Sequence, residues 1–415
     1  MKSLTLILLG IAYCDKIDKN HINNLLRCGL KSNYDVWRFN PSKLELTLRV
    51  NKPEDEKQLR KKFGCEVVLK NIDKIVKSQA LRSSSNLRSL EVMDDPLSEI
   101  GLFSDYLPYD GISNALKQLY LKFKNNENFK VELISIGKST EGRDLWVFSI
   151  YPKKPRDAKS IVFNGGIHAR EWISPASVTF ILWKMLNNYI TDPSVSKIID
   201  RFAIHFIPLS NPDGYEFSRT KDRYWRKNRR DNKDGTYGVD LNRNWDDHWS
   251  VFGTTNRTDR ENYCGPSSMS EPEVKAVDKF LNSLPSPYGG IDFHSYGQKV
   301  LRNWGFVDAP HSKNEIILKE LGDKMRDSIN SKGYKYTSEV SVGLYPASGA
   351  FDDYMASKYK MVTYTVELCP DSDDPLGFLL PSKEIIRCAT ATYDGTLTYA
   401  NFLVNHDNIP SNELI

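Results

Sequence analysis

Two periodicities divide this chain. Near its start, Leu44, Leu46, Leu48 and Val50 alternate with polar residues, the period of a strand with one buried face. Val36-Trp37-Arg38-Phe39 and Glu66-Val67-Val68-Leu69 read as further strands, with the charged stretch 53–62 as an exposed helix between them. That β-β-α-β order predicts a small α+β open-faced sandwich over residues 15–80. From about residue 105 the spacing changes. Ile112, Leu116, Leu119 and Phe123 fall on one helical face, and residues 174–190, 313–330 and 382–404 also read as helices. Strands are expected at 131–136 and 145–150, either side of a turn at 137–142, and at 161–163, 203–209, 290–293 and 361–366. Ser270-Glu271-Pro272-Glu273 has the form of a capping box opening a helix that runs to about 284. Alternating strands and helices predict a single α/β domain around a mainly buried sheet, spanning residues 99–415.

The stretch joining the two patterns, residues 81–98, is polar. Leu81-Arg82-Ser83-Ser84-Ser85-Asn86-Leu87-Arg88-Ser89 is either a solvated spacer or a segment whose arginines a trypsin-like protease can reach. At the N-terminus, Lys2 precedes an apolar run from Leu4 to Ile11, too short to cross a bilayer but of the length of a secretory leader core. Ala12 and Cys14 supply small residues for cleavage after Cys14, so residues 1–14 are expected to be a leader, with a buried first strand as the alternative. Asn256-Arg257-Thr258 is the one acceptor sequon, since Pro41 blocks Asn40-Pro41-Ser42, and it agrees with secretion.

Composition narrows the class. The 415 residues carry 57 Lys+Arg against 53 Asp+Glu, a net charge of +4, which does not suit a whole-surface nucleic-acid binder. Six cysteines are too few for a disulfide-built scaffold of this length. No stretch reaches the ~18 consecutive apolar residues of a membrane span.

The chemistry gathers at predicted strand ends. His168-Ala169-Arg170-Glu171 follows strand 161–163 across Gly165-Gly166, and a His and a carboxylate three residues apart face one way, as two ligands of one metal must. His294 lies just past strand 290–293, as a ligand or as a core histidine with its own hydrogen bonds. Glu367 ends the strand 361–366, where a carboxylate buried without a partner is costly. Open α/β sheets bind ligands at such ends. Two His and one Glu leave a zinc ion with an open fourth place for water, and a second carboxylate can take that water's proton. The pattern points to metal-assisted hydrolysis. Seven basic residues between Arg219 and Arg230, interleaved with Tyr224 and Trp225, read as a nucleic-acid patch or a solvated loop. Arg243, within Asn242-Arg243-Asn244, has a planar fork suited to a carboxylate, with a loop held by those amides as the alternative.

These blocks together resemble the zinc metallocarboxypeptidases of the A/B subfamily. The resemblance rests on His168-Ala169-Arg170-Glu171-Trp172, Asn211-Pro212-Asp213-Gly214-Tyr215, Trp225-Arg226-Lys227, Asp240-Leu241-Asn242-Arg243-Asn244 and Tyr263-Cys264-Gly265-Pro266. It continues through Ser270-Glu271-Pro272-Glu273, Phe293-His294-Ser295-Tyr296, Tyr345-Pro346-Ala347-Ser348-Gly349 and Glu367-Leu368, in the family's order. It implies a catalytic domain with a mixed eight-stranded sheet between helices, preceded by an inhibitory prodomain and released by cleavage near Arg82 or Arg88. His168, Glu171 and His294 match the ligands of one zinc ion, Glu367 the general base and Arg226 the oxyanion-stabilising residue. Asn242, Arg243 and Tyr345 match the clamp on the substrate's C-terminal carboxylate, with Arg170 and Tyr296 as further substrate-binding positions. The implied partners are peptide and protein C-termini, an activating trypsin-like protease and the chain's own prodomain. No nucleic acid and no membrane span enter, and the expected form is a secreted monomer, as in digestive members of vertebrate pancreas and insect gut lumen.

The resemblance makes Asp352 the specificity position. Members that release C-terminal Lys or Arg place an acid at the position it matches, and apolar-preferring members an aliphatic residue, so the resemblance implies a B-type enzyme. The neighbouring Asp353 matches an acid found in both types. The rivals are an A-type enzyme and a catalytically silent peptide-binding relative. The chain departs from the family pattern at Thr258-Asp259-Arg260-Glu261-Asn262, at Cys369 after Glu367-Leu368, and in lacking a partner cysteine near Thr236 or Tyr237. Cys28 and Cys65 are placed to pair, while Cys264, Cys369 and Cys388 are odd in number, so one thiol stays outside any bond within that domain.

Overall fold

The computed structural model describes residues 8–12, 35–40, 45–50, 57, 66–69, 76, 79, 95–154, 158–306 and 315–406. Near the N-terminus, β1 (Leu8–Ala12), β2 (Asp35–Asn40), β3 (Glu45–Val50) and β4 (Glu66–Leu69) form a sheet in the order β2-β3-β1-β4. Strand β1 is antiparallel to both neighbours, running Leu8↔Val50 to Ala12↔Leu46 on one side and Leu9↔Leu69 to Ile11↔Glu66 on the other. The expected leader, residues 1–14, includes β1. A short apolar run satisfies a leader core and a doubly paired strand equally well. Of the expected helix 53–62, only Lys57 is described, and it is helical. Arg82, Arg88, Cys28 and Cys65 lie outside the described residues.

The larger unit opens with helices α1 (Glu99–Phe103) and α2 (Tyr109–Phe123) and the hairpin β5 (Phe129–Lys138) and β6 (Asp144–Pro152). Strand β7 (Lys159–Gly165) leads to α3 (Ile173–Asn188) and α4 (Pro193–Ile199), and β8 (Phe202–Ile207) to α5 (Pro212–Thr220). Helix α6 (Pro272–Ser283) is followed by β9 (Pro287–Gly297), β10 (Lys299–Arg302), α7 (Glu315–Asn330) and β11 (Thr337–Val340). Helix α8 (Phe351–Tyr359), β12 (Val362–Asp371) and α9 (Ile385–Asn405) complete it. The eight strands order as β11-β10-β12-β9-β7-β8-β6-β5, a mixed sheet with parallel pairs at its centre. This is the α/β architecture that the strand–helix alternation predicts.

Strand alternation assigns the two faces. Ile161, Phe163, Phe293, Val300, Tyr364 and Val366 pack with α2, α3, α7 and α9, whereas Val162, Val147 and Ile207 pack with α6 and α8. His294, Asp292, Glu367 and Thr365 alternate with the first set and therefore sit on the α6–α8 face. Strand β9 runs on to Gly297 and β12 to Asp371, so His294 and Glu367 lie within strands and not just past them. The ladder continues because each strand satisfies the other's backbone, pairing Glu367↔His294 and Leu368↔Ser295. Strand β7, by contrast, stops at Gly165, and the missing length of β7 opens the hollow in which the site lies.

Cys369 on β12 and Cys388 on α9 form a disulfide, and Cys264 is buried outside any disulfide, which accounts for the odd count in this domain. The capping box does not form. Helix α6 starts at Pro272 without a side-chain cap, and the Glu271 amide donates to Asn244 Oδ1 at 3.1 Å. Glu273 accepts hydrogen bonds from the Thr140 amide at 2.9 Å and Asn228 Nδ2 at 3.1 Å, so its carboxyl ties a distant turn to the helix and does not reach back along it.

Burial pushes the Glu273 carboxyl from 4.5 up to about 7. A carboxyl raised on folding contributes stability that is present below its ordinary value and lost as pH rises through the folded one. Thermal unfolding of Glu273→Gln should therefore fall less steeply than the parent's between about pH 5 and 8, narrowing any gap by a few degrees. Parallel slopes would contradict the assignment.

Candidate active site

The turn after β7 places the first two ligands. Gly166 adopts φ +67°, and a side chain there would meet Leu209 Cδ1 at 2.6 Å, so only glycine lets the chain bend so close to the next strand's loop. Two anchors hold the bend, Gly166 N donating to Ser174 Oγ at 2.8 Å and Ser174 Oγ to the Phe293 carbonyl at 2.6 Å. Asn211 adds a third, its Nδ2 donating to the carbonyls of Ile167 at 3.0 Å and Lys227 at 3.1 Å, which ties the ligand turn to the loop carrying Arg226.

His168, Glu171 and His294 are all buried and present ligand atoms within 4.8 Å of one another. His168 Nδ1 lies 2.9 Å from Glu171 Oε1 and 3.0 Å from His294 Nδ1, and His294 Nδ1 lies 3.2 Å from Glu171 Oε2. Donors at zinc–ligand distances around a tetrahedral ion sit roughly 3.3 Å apart, so the trio matches such an ion closely. The outer nitrogens settle the tautomers. His168 Nε2 contacts Asp240 Oδ1 at 3.1 Å, and His294 Nε2 contacts Asp292 Oδ2 at 2.8 Å. With Nε2 protonated toward a carboxylate, each ring turns a lone pair inward at Nδ1, and two such lone pairs need a cation between them.

The electrostatics agree. Burial alone would raise the Glu171 carboxyl, but His168 and His294 hold it below the usual carboxylate range. Burial would lower His294, yet Asp292 and Glu171 keep its affinity for positive charge well above normal. Asp240 is also held down against burial by Arg226, whose Nε and Nη2 donate to Asp240 Oδ2 at 3.1 and 2.9 Å. The trio and its carboxylate backing thus form a buried anionic cage.

The remaining expected residues surround that cage. Glu367 is the cross-strand neighbour of His294, with burial pushing its carboxyl up to about 8 and Oε2 buried without a hydrogen-bond partner. An unpartnered acceptor at that position suits a group that receives a proton from a molecule brought to the site. Arg226 Nη1 donates to His168 Nδ1 at 3.3 Å, so its guanidinium lies directly beside the cage. Asn242 Nδ2 approaches His294 Nε2 at 3.5 Å while its Oδ1 accepts the Phe351 amide at 2.8 Å, joining the cage to the start of α8. Arg243 donates from Nη1 to the Asn242 carbonyl at 2.6 Å and lies 5.7 Å from the ring of the exposed Tyr345. Arg170 stacks 4.3 Å from the Phe378 ring, and Tyr296 meets the same ring edge-on at 5.0 Å. Asp352, in the first turn of α8, is buried and forms no ion pair among the described residues.

Sequence reasoning missed the two backing carboxylates. Asp292 was legible, because it stands two residues before His294 and shares its strand face. Asp240 lies 72 positions from His168 and carries no local signal. The basic cluster also resolves. Arg223 stacks 3.6 Å from Trp172 and Arg229 3.6 Å from Phe217, Lys227 Nζ donates to the Thr258 carbonyl at 2.8 Å, and Arg230 pairs with Glu271 at 3.0 Å. These four basic side chains are engaged within the fold.

Comparison with known proteins gives one answer. Residues 116–395 match the model of the zinc carboxypeptidase family. "Zinc carboxypeptidase A 1" of Anopheles gambiae is 38% identical over 71% of this chain and 67% of its own length. "Carboxypeptidase B" of Astacus astacus is 33% identical over 72% of this chain and 98% of its own. The crystal structure of the carboxypeptidase A from Helicoverpa armigera superposes with a TM-score of 0.85 at 22% identity, covering 98% of this chain and all of that one, a likeness of fold.

Removing a backing carboxylate should loosen the cage without emptying it. Asp292→Asn should weaken zinc affinity about 10–100-fold in competition with a chromogenic chelator. His294→Ala should abolish stoichiometric zinc, and an unchanged affinity in both variants would contradict the cage.

Proposed function

This chain belongs to the zinc carboxypeptidase family and is a metallocarboxypeptidase, and we propose that it is a B-type exopeptidase that releases C-terminal Lys or Arg. One observation carries the specificity: the buried Asp352 carboxylate has no ion pair among the described residues. Burial and the neighbouring Asp292 raise its pKa, so the anion is destabilised until a cation arrives. A Lys or Arg side chain supplies that cation, whereas an apolar one leaves a desolvated charge unpaired. Asp353 does not share this role, since Asn303 Nδ2 at 2.7 Å and the Gly305 amide at 2.8 Å already satisfy it.

The places of the other residues support the following roles. His168, Glu171 and His294 would hold zinc, which supplies a Lewis acid for the peptide carbonyl and makes water acidic enough to react near neutral pH. Asn242, Arg243 and Tyr345 bind the terminal carboxylate, and Arg170 and Tyr296 guide the chain toward them. Glu367 takes a proton as the water oxygen bonds to the carbonyl carbon, and delivers it to the amine nitrogen as the C–N bond breaks. Arg226 stabilises the negative charge that develops on the carbonyl oxygen. Gly349, at φ +70° with Arg243 O 2.5 Å from any added side chain, lets the Tyr345 loop pass close over the clamp.

We read the N-terminal unit as an inhibitory prodomain, with residues 81–98 as the segment cut for activation. Val76 packs against the cluster of Tyr224, Phe378 and Leu379, and Gln79 Nε2 donates to the Leu379 carbonyl at 3.1 Å. Those contacts lie on the Phe378 platform that Arg170 and Tyr296 share, which supports a unit seated beside the substrate's path. The Cys369–Cys388 disulfide and the exposed Asn256 sequon support an oxidising, extracellular workplace.

Two outcomes check these assignments. After limited trypsin treatment, kcat/KM should favour peptides ending in Arg over Phe by at least about 100-fold, and Asp352→Asn should erase that preference. A clear preference for Phe would make this an A-type enzyme. Glu367→Gln should keep one zinc per chain yet lose at least about 1,000-fold in kcat, and substantial residual turnover would refute the general-base role.

A further inference from the structure

Strand register extends the site beyond the residues already assigned. His294 pairs with Glu367 across β9 and β12, and Glu367 pairs with Lys299 on β10. In the next row, Asp292 pairs with Thr365, Thr365 with Leu301, and Leu301 with Glu339 on β11. Val300, between Lys299 and Leu301, packs into the opposite core, so Lys299 and Leu301 lie on the face that carries the metal cage. Lys299 Nζ forms an ion pair with Glu339 Oε1, and both side chains remain partly open to solvent. The aliphatic part of Lys299 runs past Gly297, where an added side chain would meet Lys299 Cδ at 3.9 Å and Glu367 Cβ at 4.0 Å. Asp352 closes the far end: its carbonyl accepts Thr363 Oγ1 at 3.0 Å, one row further along β12.

The path of the substrate's last side chain is bounded by these rows. Its scissile carbonyl lies between the cage and Glu367, and its tip must reach Asp352. Thr365 hydrogen-bonds the Asp352 carboxylate, so the side chain runs to the Thr365–Leu301 row, with Lys299 and Glu339 flanking it. An ammonium placed there repels an incoming cation unless something neutralises it, and Glu339 is the group in contact.

We propose that the Lys299–Glu339 ion pair is a second specificity determinant of the pocket, in which Glu339 silences Lys299 so that a cationic side chain can pass to Asp352. The proposal rests on the B-type reading for the identity of the preferred substrate. With the pair intact, Asp352, Lys299 and Glu339 sum to one negative charge. Removing Glu339 brings the sum to zero, and removing Lys299 brings it to two negative charges.

The test is a charge cycle on the trypsin-treated, zinc-loaded enzyme, reading the ratio of kcat/KM for Arg-ended over Phe-ended peptides. The ratio cancels effects on zinc or on Glu367 that are common to both substrates. Glu339→Gln should lower the ratio about fivefold or more, Lys299→Met should raise it about threefold or more, and the double variant should return close to the parent. A ratio that stays within twofold in both single variants overturns the proposal, as does a double variant that fails to restore it. Asp352→Asn run in parallel separates the two readings. If the parent prefers Phe and Asp352→Asn changes nothing, the B-type reading fails, while opposite shifts in the Glu339 and Lys299 variants still decide the role of the pair.

Discussion

Two imidazoles turned toward each other with their lone pairs inward make an arrangement that repels itself, and the rest of the site is organised around holding it. The Nδ1 atoms of His168 and His294 stand 3.0 Å apart. Asp240 and Asp292, behind the rings, fix both tautomers, and Glu171 supplies a third inward acceptor. None of these groups is in reach of bulk water, so the repulsion is relieved by a cation and not by solvent. Arg226 contributes to the balance from one side, through Asp240 and through its contact with His168 Nδ1 at 3.3 Å.

That constraint explains the shape of the fold near the site. Strand β7 has to stop at Gly165 so that the chain can turn back through His168 and Glu171, while β9 and β12 continue so that His294 and Glu367 stay in register. The glycine at 166, the serine at 174 and the amide of Asn211 do not take part in the chemistry, yet each fixes a part of the turn. The carboxylates follow a division by environment. Asp240, Glu171 and Asp353 are held by cations or donors, whereas Glu367 Oε2 has no hydrogen-bond partner and Asp352 has no ion pair among the described residues.

What could be read from the sequence depended on how local each signal was. His168 and Glu171 share one turn, and the alternation around β9 and β12 placed His294 and Glu367 near strand ends. Asp292 shares a strand face with His294 and was within reach of the same rule. Asp240 was not, because its contact with His168 exists only after two loops have packed. The same limit applies to the N-terminal run: Leu8–Ala12 is apolar enough for a leader core, and its pairing with β3 and β4 is a long-range contact that no local pattern carries. Strands β10 and β11, at one end of the sheet, are four residues each and too short for periodicity to register, although Lys299 and Glu339 lie on them. Glu273 had the spacing of a capping box and was drawn instead to Thr140 and Asn228, a tertiary contact overriding a local preference.

The cage itself can be seen directly by anomalous diffraction at the zinc edge from crystals of the zinc-loaded protein. One strong peak per chain is expected, coordinated by Nδ1 of His168, Nδ1 of His294 and the Glu171 carboxylate, with Asp240 and Asp292 remaining on the Nε2 atoms. A peak coordinated through Nε2 of either histidine, or lying away from this trio, would contradict it.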